Sequence, residues 1–341
     1  MVRLRRVKTT AFPKSSNALR FPIALLSICA GLLFAGIGEA HGAWPGKDGP
    51  IVYVGYSYAG EKSGPEGLRR VRIGRFEEPV ALTADPSDGS PQVSPDGRWV
   101  VFTRSSPSAE NGLAQRKIYV IDIDGGSLRQ VSNPPPNADD GSPTFDASGT
   151  RIFFARRQGS GQHIYEMSIE GGPARRLTQG QNVYDANPAI SPSGRQIVFE
   201  RTRIVNPDTN QESPARIYSM RPNGSQLVDL TAELGPRLYA GQPDFSPDGK
   251  SVAFALSGQR TTIFVMTANG RHMRRVMRPR ERHTLTYSQP SFSPTGEWIV
   301  MTVADVYGSV LARVKSAGRE NNVGDFGRLR GGSPAWGPTT Q

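Results

Sequence analysis

From Ile51 onward the chain is a succession of short apolar runs broken by Gly, Pro, Asp and Ser, and these runs recur in a fixed order. The segments SPQVSPDGRWVVF (from Ser90), SPTFDASGTRIFF (Ser142), NPAISPSGRQIVF (Asn187), QPDFSPDGKSVAF (Gln242) and QPSFSPTGEWIVM (Gln289) superimpose without a gap, and a sixth, SPAWGP, begins at Ser333. The shared prolines Pro91, Pro143, Pro188, Pro243, Pro290 and Pro334 lie 52, 45, 55, 47 and 44 residues apart. Such intervals suit a unit of four strands, not a pair of helices.

Each unit reads as four strands. The short piece after the proline (QVS, TFD, AIS, DFS, SFS) is the first, and proline at its opening position removes no interior ladder bond. A Pro-Asp-Gly turn or its variant follows, with glycine supplying the positive φ of a tight reversal. The second strand is WVVF, RIFF, QIVF, SVAF or WIVM, and the third is KIYVIDID, HIYEMSIE, RIYSMRPN or TIFVMTAN. The fourth is brief: LRQVS, ARRLT, LVDLT, MRRVM. Ahead of the first complete unit, IVYVGY (Ile51), LRRVRIG (Leu68) and VALT (Val80) match strands two, three and four, while SPAWGP is a lone first strand. The fold expected is all-β: a six-bladed β-propeller of four-stranded antiparallel blades, closed by the C-terminal strand completing the N-terminal blade. Closure of this kind hides the sheet edges.

The succession Ser-Pro-Asp-Gly, apolar strand, I-Y-x-M/V, Gly-Gly and L-T resembles the repeat of the TolB-like six-bladed β-propellers, over about Ile51 to Pro338. The resemblance implies a non-enzymatic scaffold that binds a protein in the cell envelope, by analogy a peptidoglycan-associated lipoprotein. The N-terminal α/β domain of full-length TolB has no counterpart between the leader and the first strand. Two other functions fit the same repeat. One is a glycan-handling or hydrolytic enzyme with an acidic or cation site at the channel mouth, and the other is a sensor or accessory module.

Residues 1–42 read as a signal peptide: six basic residues among the first twenty, an apolar run from Phe21 to Ile37, then small residues for cleavage near Ala40 to Ala43. Retention of the run as an anchor is the alternative. The expected address is periplasmic or secreted, with 43–341 a single propeller domain acting as a monomer. The lone cysteine, Cys29, falls inside the leader, which leaves no thiol chemistry to the mature chain. Charge then takes on a location. Of the formal net +11, the leader holds +5 and residues 271–282 another +5. The remainder is close to neutral.

Candidate chemistry follows from the repeat. The residues just before the shared prolines, Ser90, Ser142, Asn187, Gln242, Gln289 and Ser333, should ring one channel mouth. Two positions earlier, Asp88, Asp140 and Asp185 form an acidic arc over three successive units. Such oxygens suit calcium or docking of a basic or amide-rich peptide, and the alternative is that they cap turns inside the repeat. No other cofactor is expected. The second candidate is a basic rim, Arg271, Arg274, Arg275, Arg278, Arg280 and Arg282, suited to an anionic envelope surface or simply protecting a sheet edge. Nucleic acid is not expected as a partner, because the rim has no aromatics to stack on bases. The longer connections, Ser105 to Lys117 and Asn206 to Arg216, join strand two to strand three and are expected on the face away from the mouth.

Overall fold

The repeated Ser-Pro-Asp-Gly turn closes on itself. Ser94, Asp146, Ser191, Ser246 and Ser293 each accept, through a side-chain oxygen, the N–H of the residue five places on, at 2.9–3.1 Å. Their turn glycines, Gly97, Gly149, Gly194, Gly249 and Gly296, have φ between 67° and 74°, a region open to glycine without the Cβ penalty. At the other end of the unit, Thr83, Ser132, Thr178 and Thr231 accept the N–H of Leu68, Ile118, Ile164 and Ile217 at 2.8–3.0 Å. The hydroxyl of the repeated L-T pair thus pins strand four to strand three.

The computed structural model describes residues 43–58, 64–72, 78–107, 114–206, 208–209, 211–277, 285–318 and 324–340. Their strands are β1 (Asp48–Ser57), β2 (Gly64–Arg72) and β3 (Val80–Ala81); β4 (Gly89–Val93), β5 (Trp99–Pro107), β6 (Ala114–Asp122) and β7 (Arg129–Gln130); β8 (Ala138–Phe145), β9 (Arg151–Gln158), β10 (Gly161–Ser168) and β11 (Arg175–Arg176). They continue with β12 (Val183–Ile190), β13 (Ile197–Asn206), β14 (Gln211–Glu212), β15 (Arg216–Met220) and β16 (Val228–Asp229); β17 (Tyr239–Phe245), β18 (Ser251–Ser257), β19 (Thr262–Thr267) and β20 (Arg274–Arg275). The last are β21 (Thr286–Phe292), β22 (Trp298–Asp305), β23 (Gly308–Lys315) and β24 (Gly324–Pro338).

Antiparallel pairing sorts these strands, among the described residues, into six four-stranded groups, here numbered as blades one to six. β14 is a short addition to β13. β24 serves two blades: Gly324 and Asp325 pair with β23, whereas Ala335 and Trp336 pair with Val52 and Ile51 of β1. One strand is therefore the outer edge of blade six and the innermost strand of blade one. The innermost strands touch in cyclic order, β24, β4, β8, β12, β17, β21 and back to β24.

Strand two of each blade is apolar on consecutive residues because both faces of a blade are covered. Val100, Val101 and Phe102 are fully buried, as are Ile197, Val198 and Phe199. The core is layered between neighbouring blades: Val52, Leu68, Val100 and Phe102 join blades one and two, Ile217, Phe245, Phe254 and Leu256 join four and five, and Ile51, Tyr53, Val300 and Trp336 join six and one.

Residues 43–46 cross the ring at the end bearing the Pro-Asp-Gly turns. The Ala43 N–H donates to Phe245 O of blade five at 3.2 Å, and Gly46 N–H to Pro294 O of blade six at 3.2 Å. Trp44, 2% exposed, donates its indole N–H to Val93 O of blade two at 3.1 Å. Blades two and five are opposite each other, so this segment spans the channel at that end. The leader itself, 1–42, lies outside the described residues. Among the described residues no helix is long and apolar enough to cross a membrane.

Candidate functional site

The structure brings the six residues before the prolines together at the opposite mouth. Ser90, Ser142, Asn187, Gln242, Gln289 and Ser333 are all buried, with φ between 51° and 55°. Pairing register breaks around each of them, which is the mark of a β-bulge. Non-glycine residues in this backbone region cost roughly 1–3 kcal/mol each and persist where neighbours hold them. Here the neighbours are the next blades. Ser142 Oγ donates to Asn187 Oδ1 at 3.2 Å, Gln242 Oε1 accepts the Gln289 N–H at 2.9 Å, and Gln289 Oε1 accepts the Ser333 N–H at 2.9 Å. Glu200, on β13, completes the run: its Oε2 accepts Asn187 Nδ2 at 2.9 Å and the Gln242 N–H at 3.2 Å. A Cβ on Gly241 would collide with that oxygen. From blade three round to blade one, the ring's polar groups tie each blade to the next.

The three aspartates are not open to solvent. Arg104 grips Asp88 through Nε at 2.6 Å and Nη2 at 2.8 Å, Arg156 grips Asp140 at 2.6 and 2.8 Å, and Arg201 grips Asp185 at 2.6 and 2.7 Å. All three carboxylate side chains are 0% exposed, while the arginines above them are 17%, 10% and 3% exposed. Each guanidinium also lies over two rings: Phe102 and Tyr119, Phe154 and Tyr165, Phe199 and Tyr218, at 5.1–5.6 Å from the centroids. Neither turn-capping nor an open acidic arc describes this arrangement. Both oxygens of each carboxylate are engaged by a bidentate arginine, a geometry that adds specificity as well as strength. Among the described residues no three His, Cys, Asp or Glu side chains converge as metal ligands.

The described ends of the long connections stand on this same mouth, contrary to the expectation that they face away from it; 108–113, 207 and 210 lie outside the described residues. Gly89 pairs with Thr103, and the β5–β6 ladder then runs out to Pro107 and Ala114. The second strand of every blade therefore ends where the first begins, and the loop between strands two and three must emerge there. The mouth accordingly carries Val205, Tyr239, Val306 and Tyr307, which are 57%, 46%, 82% and 88% exposed. Of the basic rim, Arg271, Arg274 and Arg275 are exposed, β20 being the outermost strand of blade five. Arg274 Nη2 donates to Ser316 O at 2.6 Å. Arg278, Arg280 and Arg282 lie outside the described residues.

Two further titratable groups, His163 and Asp244, are buried in the blades around this mouth. His163 Nε2 accepts from Arg176 Nη2 at 2.7 Å, so the ring is held neutral with its proton on Nδ1, 3.9 Å from Asp185 Oδ2. Burial lowers its pKa, and Arg176 adds to the effect. Asp244 is fully buried; Oδ2 accepts the Phe292 N–H at 2.6 Å and Oδ1 has no partner among the described residues. Gln92 Nε2 and Thr144 Oγ1, at the same repeat position, are likewise unpartnered.

Burial pushes the Asp244 carboxyl well above the usual carboxylate range, against the pull of the Phe292 amide. A pKa raised in the folded state gives stability that is full below the ordinary aspartate range and is lost as pH rises through the folded value. Asp244→Asn is therefore expected to remove this pH dependence. At pH 8 it should exceed the parent in stability, because unfolding lets the parent ionise an aspartate that the fold keeps protonated, and at pH 4 it should match it. Urea denaturation at both pH values checks this; a variant weaker than the parent at pH 8 would refute a neutral carboxyl.

Comparison with known proteins agrees with this fold. Residues 79–234 match the family model of the TolB beta propeller domain. The chain is 26% identical over 223 residues to an uncharacterized peptidase, YuxL, of Bacillus subtilis, covering 65% of this chain and 30% of that one. It is 24% identical over 288 residues to the Tol-Pal system protein TolB of Francisella tularensis, covering 69% of this chain and 62% of that protein. The chain thus spans less than two thirds of these relatives. In fold it is similar to the crystal structure of TolB from Acinetobacter baumannii, with TM-score 0.65, 19% identity, and coverage of 93% of this chain and 72% of the other.

Proposed function

We propose that this chain, a TolB-like β-propeller, is a non-enzymatic, exported scaffold that docks a protein of the cell envelope on the mouth where the six pre-proline residues meet. One observation carries the reading: Val205, Tyr239, Val306 and Tyr307, half of the large apolar side chains exposed among the described residues and both of the exposed tyrosines, stand on that face. Tyrosines beside arginines are the side chains on which protein interfaces concentrate their binding energy. The opposite end of the channel is crossed by residues 43–46, which supports entry from this mouth alone. The likeness to a Tol-Pal system protein makes a peptidoglycan-associated lipoprotein the first partner to try.

Capture from a cell-envelope extract on residues 43–341 tests the reading. Tyr239→Ala/Tyr307→Ala is expected to cut the bound protein several-fold, whereas Arg274→Ala/Arg275→Ala on the far edge of blade five leaves it unchanged. An unchanged bound set with the tyrosine pair removed would sink the mouth as the docking face. The match to part of a peptidase favours a second reading, an accessory module that serves a catalytic partner. On that reading the captured protein is a hydrolase and the propeller alone has no hydrolytic activity.

A further inference from the structure

The charge of the mouth is opposite to what the row of aspartates suggests. On blades two to four the carboxylates sit beneath their arginines, and the cations are the outer groups. At one place this leaves uncompensated positive charge around a cavity. A pocket of about 210 Å³ is lined by Arg201, Arg203, Ser213, Pro214, Arg216 and Tyr218, on the facing ends of β13 and β15 and the turn between them.

Each member has a defined state. Arg201 is neutralised by Asp185 and lies 5.2 Å from the centre of the Tyr218 ring, forming the back wall. Arg216 is held by carbonyls alone: Nη1 donates to Leu238 O at 2.5 Å, and Nη2 to Leu234 O at 3.0 Å and Gly235 O at 3.2 Å. Carbonyls fix its position without cancelling its charge. Arg203 is exposed. Its backbone N–H donates to Ser213 Oγ at 3.1 Å, which places that hydroxyl at the pocket edge. Two full positive charges therefore face the cavity with no carboxylate in its lining. Glu212, on β14, is exposed and is not among the lining residues.

We propose that this pocket is a carboxylate-binding subsite, and that the partner of the mouth presents an acidic polypeptide segment to it. The inference rests on the docking reading above and adds the partner's chemistry. The planar guanidinium of Arg203 matches a carboxylate in two-point geometry, while Arg216, whose Nη groups are taken by the carbonyls of Ala215, Leu234, Gly235 and Leu238, contributes its charge. Charge complementarity at a partly exposed rim acts chiefly on encounter and on salt dependence. Arg216, already immobilised, loses little freedom on binding, and Tyr218 supplies a rigid apolar wall against the methylene groups of a glutamate.

The test is titration of the folded chain with an acetylated, amidated hexaglutamate peptide, with hexaglutamine as the neutral counterpart. Expected is saturable binding of hexaglutamate and none of hexaglutamine, weakening as salt rises. Arg203→Glu should weaken it tenfold or more, Arg203→Lys by no more than about threefold, and thermal midpoints should stay unchanged because Arg203 is exposed. Equal binding by Arg203→Glu and the parent overturns the subsite, as does equal binding of the two peptides. Displacement by inorganic phosphate at lower concentration than by acetate overturns the carboxylate assignment in favour of a phosphoryl ligand. If hexaglutamate fails while Tyr239 and Tyr307 still control envelope capture, only this inference falls; the reverse result removes the docking face instead.

Discussion

Replacing Trp336 with alanine is expected to lower the free energy of unfolding by about 3–5 kcal/mol, the range for a buried tryptophan. The side chain is 3% exposed and packs with Ile51, Tyr53, Val71, Val300 and Leu311 between blades six and one. Its indole N–H donates to Gly49 O at 3.2 Å and its backbone N–H to Ser291 Oγ at 3.2 Å. The residue belongs to the blade-one part of β24 and packs against Val300 and Leu311 of blade six, so the cavity opens at the seam that closes the ring. One position on, a Cβ on Gly337 would collide with Val93 of blade two, which shows how little space the seam has. Trp336→Phe retains most of the apolar contact and loses the indole hydrogen bond, so it should cost only about 1–2 kcal/mol, close to the net contribution of one hydrogen bond. Urea denaturation measures both. A loss under about 1 kcal/mol for the alanine variant would mean that the seam is not a determinant of stability.

Asp185→Ala is expected to cost about 3–5 kcal/mol, because it leaves Arg201 charged, buried and without its counter-ion. The double variant Asp185→Ala/Arg201→Leu should recover most of this loss, since well-packed apolar groups commonly replace a buried ion pair at little cost. The molecule already contains that replacement: blade five has Ala240 and Leu256 at the corresponding positions, both buried. A double-mutant cycle gives the coupling directly. Calcium should leave the parent's thermal midpoint unchanged, because Arg201 occupies both oxygens of Asp185. A calcium-dependent rise that disappears in Asp185→Ala would instead make the aspartates a cation site.

These ion pairs also mark how far the sequence could be read. Asp88, Asp140 and Asp185 stand out in the aligned units, but their partners lie 16 residues on, as the third residue of the strings Phe-Thr-Arg, Phe-Ala-Arg and Phe-Glu-Arg. The signal was present: units that lack the aspartate (Ala240, Tyr287) also lack the arginine (Leu256, Val303). Asp and Arg thus vary together among repeats of one chain. Taken position by position, the pattern exposes the aspartates and conceals their neutralisation. Glu200 was hidden for a different reason. It occurs in a single unit, where an alternating strand predicts only an outward polar residue, and its role depends on Gly241 admitting it to the next blade. The placement of the long connections followed from strand direction alone: alternate directions bring the loops between strands two and three to the mouth.

By itself the sequence determined the strand count of each unit, the tight turns and the completion of the first blade by the C-terminal strand, because these depend on local backbone chemistry repeated at a regular interval. Ser94 and its equivalents, the turn glycines and the closing Thr and Ser hydroxyls bond within their own unit. What only the tertiary structure decided lies between units: the hydrogen-bonded ring from Ser142 to Ser333, the burial of three aspartates under arginines, Trp44 across the far end of the channel, and the cationic pocket at Arg203 and Arg216. Distances across a ring depend on how blades pack and not on spacing along the chain. Whether a charge faces solvent or a counter-ion therefore emerges only once the circle is closed.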